Sequence, residues 1–180
     1  MGRPRQGMPR NVVWRDKLNM HSEKKGCVNV KDRNVEVKIT GKQFAGTEAE
    51  DVVEFVTEGS IRADEHGVTL TYPESELSGF PGSITTLQIQ ADAIHMQRRD
   101  EEGKLKTEMN FKQGERMDSP YETPYGTMKL EVLTDRVDAD LSDDGTGSIE
   151  VTYLVSLEGI AEGKNALHID IQEVQNEREA

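Results

Sequence analysis

The chain has 180 residues, 34% hydrophobic, 5% aromatic and 31% charged, with a net charge of -12 at pH 7 and a mean hydropathy of -0.70. That length suits one domain with a single core. No stretch approaches the roughly 20 consecutive apolar residues that a membrane-spanning helix needs, and the start of the chain lacks the apolar segment of a signal peptide. Cys27 is the only cysteine, which excludes an intrachain disulfide, a thiolate zinc cluster and a CxxC redox pair, and fits a reducing cytoplasm.

The charge is unevenly spread. Residues 1–33 carry nine basic and three acidic residues, leaving 13 basic and 31 acidic over residues 34–180, a net of -18. So acidic a body repels a phosphate backbone, which argues against nucleic-acid binding by the folded part. The leader mixes Gly2, Pro4, Gly7, Pro9 and Gly26 with scattered charges and has no lasting period, so residues 1–33 read as disordered or loosely attached.

From residue 34 to 174 the pattern is that of strands. Val35, Val37 and Ile39 alternate with Glu36, Lys38 and Thr40, and Gly41 to Ala49 reads as an irregular continuation and turn. Val53, Phe55, Thr57, Gly59, Ile61 and Ala63 then share one face. A glycine inside a strand marks a bend or the close approach of another group, so Gly59 is a predicted corner. Asp64-Glu65-His66-Gly67 turns the chain into Val68 to Tyr72, and a loop with Phe80 at its tip follows Pro73. Thr85, Leu87 and Ile89 alternate next, then Ile94, Met96 and Arg98, then Leu105, Thr107, Met109 and Phe111, and a short strand spans Arg116 to Thr123.

The most regular stretch is the hairpin between Tyr121 and Gly159. Ile149, Val151, Tyr153, Val155 and Leu157 fall at every second position, Met128, Leu130, Val132 and Thr134 face them, and Asp143 to Gly147 tolerates the positive φ of a turn. The buried phase moves from even to odd positions between Leu133 and Val137, which predicts a β-bulge there. Leu167, Ile169 and Ile171 form the last strand, and residues 175–180 are a polar tail. With no helical period long enough for a crossover, the sheet must be antiparallel, and a long meander removes its exposed edges by closing. The expected fold is an all-β barrel of about 8–10 strands.

Laid out in this way, residues 35–174 resemble the YwiB-like family, a bacterial domain of unknown function. The similarity rests on Val53 to Val56 leading into Thr57-Glu58-Gly59, on Val68 to Tyr72 before Glu74, on Tyr121-Glu122-Thr123-Pro124-Tyr125-Gly126 with Leu130 and Thr134 downstream, and on Gly147 with Val151 to Tyr153. The resemblance implies a small calycin-type (lipocalin-like) barrel and no particular activity. The Gly-x-Trp signature of secreted lipocalins is missing, Trp14 standing in Asn11-Val12-Val13-Trp14.

Catalytic and metal chemistry find little support. His21, His66, His95 and His168 share no ligand spacing, and Asp140, Ser142, Asp144 and Gly145 match part of a calcium loop whose closing acid, Glu150, arrives one place early. No nucleophile elbow, P-loop or dinucleotide fingerprint is present. We therefore expect no catalytic residues, no metal and no cofactor. What remains is the barrel interior, where Phe55, Ile61, Tyr72, Met96, Met109, Phe111 and Tyr153 are the candidates to line a pocket for a small apolar ligand. The alternative is an interaction module whose acidic outer face recruits a basic protein partner.

Overall fold

The computed structural model describes residues 32–45, 48–158 and 161–174. In chain order the strands are β1 (Arg33–Ala45), β2 (Glu48–Asp64), β3 (Gly67–Pro73), β4 (Ile84–Ile89), β5 (Ala93–Arg99), β6 (Leu105–Lys112), β7 (Arg116–Thr123), β8 (Gly126–Leu141), β9 (Gly147–Leu157) and β10 (Ala161–Glu173), with a 3-10 turn at Glu76–Ser78 between β3 and β4. Every strand pairs antiparallel with its sequence neighbours, and β1 closes onto β10, giving a closed ten-stranded barrel. The expected architecture is thus the observed one. Most of the basic leader, with Trp14 and Cys27, and the tail at 175–180 lie outside the described residues, while Arg33 already belongs to β1.

The two-residue period places the core inside the ring. Val35, Val37 and Ile39 on β1, Leu70 on β3, Leu87 and Ile89 on β4, Phe111 on β6, Val132 on β8, Ile149 and Val151 on β9, and Ile169 and Ile171 on β10 are all buried. The polar residues between them face outward. The phase change predicted between Leu133 and Val137 is a bulge: β8 pairs Thr134 with Tyr153 and then Arg136 with Thr152, so Asp135 is the extra residue. Two strands run well beyond the alternation that marks them. β1 and β2 continue to Ala45 and from Glu48, because their ends hydrogen-bond to each other and need no buried face to do so.

Gly59 stands just before β2 gains its second partner. From Glu48 to Ile61 the strand pairs with β1, but it pairs with β3 only from Ser60 to Asp64. A Cβ at Gly59 would lie 2.8 Å from the Thr71 carbonyl oxygen and 3.0 Å from Val37 Cγ2, so only glycine lets the neighbouring strand come this close. Upstream of that point one edge of β2 has no strand partner among the described residues. A second thin place lies between β6 and β7, whose ladder is the single pair Thr107–Tyr121. The barrel is therefore continuous but has two weak seams.

Candidate functional site

All seven proposed lining residues occupy inward positions of the ring. Phe55, Ile61, Tyr72, Met96 and Phe111 are buried, whereas Met109 and Tyr153 pack against the core and stay partly uncovered. The Phe111 and Tyr153 rings, from strands that are not neighbours, meet at a tilted 58° with centroids 4.9 Å apart. These two residues span the interior, and burial pushes the Tyr153 phenol above its ordinary ionisation range. Tyr121, Val155, Leu157 and Leu167 are likewise packed against the core and incompletely covered.

The interior is not uniformly apolar. Arg98 occupies an inward position of β5, and its side chain is only 12% exposed. Its charge is met by Glu74, 2% exposed, just after β3: Arg98 Nε and Nη2 donate to Glu74 Oε1 at 3.0 and 2.8 Å, and Thr85 Oγ1 donates to the same oxygen at 2.5 Å. Phe80, on the loop joining β3 to β4, places its ring 3.9 Å from the guanidinium carbon. Ser75 caps the 3-10 turn by accepting from Leu77 N, and Gly79 ends it at φ 80°, which sets the path of the chain toward Phe80. The loop predicted to carry Phe80 at its tip thus covers a buried ion pair.

Around Arg98 the cross-strand register builds a polar row. Tyr72 pairs with Thr85, Thr85 with Arg98, Arg98 with Thr107 and Thr107 with Tyr121, so the row crosses β3 to β7 from one seam to the other. Tyr72 is buried, and its phenol is pushed far up, first by desolvation and then by the negative charge of Glu74. The Thr107 and Thr134 hydroxyls are buried with no hydrogen-bond partner among the described residues. Arg98 was readable in the sequence as a charge in the apolar phase of its strand, after Ile94 and Met96. Glu74 carried no such signal, because it lies beyond the end of the β3 alternation.

Outside the wall, where β3 leaves β2, lies a shallow groove of about 330 Å3 lined by Asn34, Glu58, Ser60, Thr71, Pro73 and Ile84 among others; of the seven proposed lining residues only Tyr72 borders it.

A family described as a domain of unknown function (DUF1934) matches residues 37–169. The chain belongs to this family. The fold of this DUF1934 domain is similar to the crystal structure of the YwiB protein from Bacillus subtilis, with 15% sequence identity and a TM-score of 0.59 over 78% of this chain and 94% of that one. Identity that low speaks for the fold alone. No curated protein matches the chain.

On the outer face of the DUF1934 domain, titratable groups pair off locally. His95 Nε2 lies 2.7 Å from Glu108 Oε1, which also accepts from Gln97 at 3.0 Å; the Gln97 and His95 contacts hold the Glu108 carboxyl below its usual range. His168 sits 3.1 Å from Asp170, and His66 is exposed beside Glu65. At the acidic turn, Ser142 donates to Asp144 Oδ1 at 2.6 Å and the Thr146 backbone N–H donates to it at 2.9 Å, with Arg33 nearby, so this carboxylate is held well below its ordinary range by the turn itself. Among the described residues, no three His, Cys, Asp or Glu side chains converge as metal ligands would.

Proposed function

We propose that the barrel interior receives a small molecule with an apolar body. The observation that carries this reading is that Met109, Tyr121, Tyr153, Val155, Leu157 and Leu167 face inward against the core yet remain partly uncovered. A packed protein interior leaves few such surfaces. The strand count favours the same reading, since an eight-stranded barrel is just filled by its side chains or holds one small ligand, and ten strands enclose more. Methionine and aromatic side chains make an adaptable lining. The seam between β2 and β3, flanked by the loop that carries Phe80, is the route of entry we favour.

Uptake of the neutral fluorophore N-phenylnaphthylamine tests the proposal. Saturable enhancement with one site per chain is expected in the unsubstituted protein, and it should fall in Met109→Trp and in Val155→Phe, which fill the interior from two different strands. Fluorescence that stays at the level of free dye in the unsubstituted protein would refute it.

A further inference from the structure

Buried side-chain hydroxyls in native proteins nearly always have a hydrogen-bond partner, and each exception needs a reason. Thr107 and Thr134 are two exceptions in one barrel, 1% and 0% exposed, on inward positions of β6 and β8. Thr107 stands directly across the ladder from Arg98, and Thr134 directly across from Tyr153. Valine has nearly the shape of threonine and would fill either place without an unmatched polar atom, so a dry packing role does not call for these hydroxyls.

Arg98 shows a matching reserve. Its contacts to Glu74 and Thr85 are made through Nε and Nη2, and Nη1 takes no part in them. Glu74 already balances the guanidinium charge. Tyr72 and Tyr153 are neutral at pH 7, as tyrosine ordinarily is, and burial pushes both phenols further from ionisation. The polar row is therefore rich in hydrogen-bonding groups and has no net charge to offer.

We infer that the row Tyr72–Thr85–Arg98–Thr107 is a head-group subsite, and that the ligand is a neutral amphiphile whose hydroxyl, carbonyl or amide hydrogen-bonds Thr107 and Arg98 while its apolar body lies along Met109, Phe111 and Tyr153. This inference rests on the interior reading above and adds the chemistry of the ligand. A carboxylate would bring an uncompensated charge into a site whose cation is already matched, and an ammonium would meet the same difficulty with Glu74. A hydrocarbon would leave the hydroxyls unmatched.

Displacement of N-phenylnaphthylamine by octane, octanol, octanoate and octylammonium, in the unsubstituted protein and in Thr107→Val and Thr134→Val, decides the matter. Octanol should displace the dye at a concentration about fivefold or more below that of each of the other three, the ratio expected for one net hydrogen bond. That preference should shrink toward unity in Thr107→Val, and both valine variants should be as thermally stable as the parent or more so, since each loses an unmatched hydroxyl. Equal displacement by octane and octanol would overturn the head-group subsite while leaving interior binding intact. So would an octanol preference that survives Thr107→Val, or valine variants that lose stability with no change in preference, which would mark hydroxyls satisfied by ordered water only. Absence of dye uptake would remove both readings.

Discussion

The two sides of this barrel solve the same packing problem with different materials. On the side built from β1, β10 and β9, Ile39, Ile169 and Ile149 stand opposite one another across continuous ladders, and Val37 faces Ile171; all five are buried. On the side built from β3 to β6, the corresponding inward positions include Tyr72, Thr85, Arg98 and Thr107. The first wall is held by apolar burial, which is non-directional and tolerant. The second also buries Leu70, Leu87, Met96 and Phe111, but it adds a desolvated charge pair and its hydrogen bonds, where each group is costly once its partner is lost. A buried ion pair of that kind contributes little net stability, so it is the feature by which the two walls can be told apart.

The largest effect that separates the two walls should come from breaking the ion pair. Glu74→Ala leaves Arg98 buried without a counter-charge, and the expected loss is about 3–5 kcal/mol in urea unfolding. Replacing both partners, as Glu74→Leu with Arg98→Met, should recover most of that loss, because the desolvation cost goes with the charges. A double variant as unstable as Glu74→Ala would mean that the pair is held for its geometry and not for its charge balance.

Alkaline pH sharpens the comparison further, since tyrosine ionisation touches the polar row and leaves the isoleucines alone. Burial disfavours the Tyr72 phenolate, so the folded chain keeps this proton past the point, near pH 10, at which the unfolded chain releases it. The stability linked to Tyr72 is complete below pH 10 and is lost as the pH rises above it, with a slope of about 1.4 kcal/mol per pH unit. Urea midpoints compared at about pH 9 and about pH 11 should fall less in Tyr72→Phe than in the parent. An equal fall in both proteins would place Tyr72 in a more hydrated site than its burial implies.

Much of this was legible from the chain because alternation reports which face is buried. It placed the strands, a bulge between Leu133 and Val137 and the inward set from Phe55 to Tyr153, and Gly59 in a strand announced the close approach of β3. Alternation says nothing about which strands meet across the ring. Glu74, Thr85 and Arg98 are brought together by register between three strands and a loop, and no local pattern encodes that meeting. A lone arginine in an apolar phase is the one local trace, since such a residue must find a buried carboxylate or leave the core. The extensions of β1 and β2 escaped for the opposite reason: their sequences carry no alternation, and the backbone ladder between the two strands continues without it.

The smallest expected effect belongs to the apolar wall. Ile169→Val removes one methylene from a fully buried side chain flanked by Ile39 and Ile149, and should cost about 0.5–1.5 kcal/mol in the same urea assay. Because dispersion and burial act over many neighbours, the cavity is shared and partly relaxed, so ligand preference and the alkaline limb should both stay as in the parent. If Ile169→Val instead altered dye uptake as strongly as Thr107→Val, the interior would behave as one coupled space, and the division into a supporting wall and a binding wall would fail.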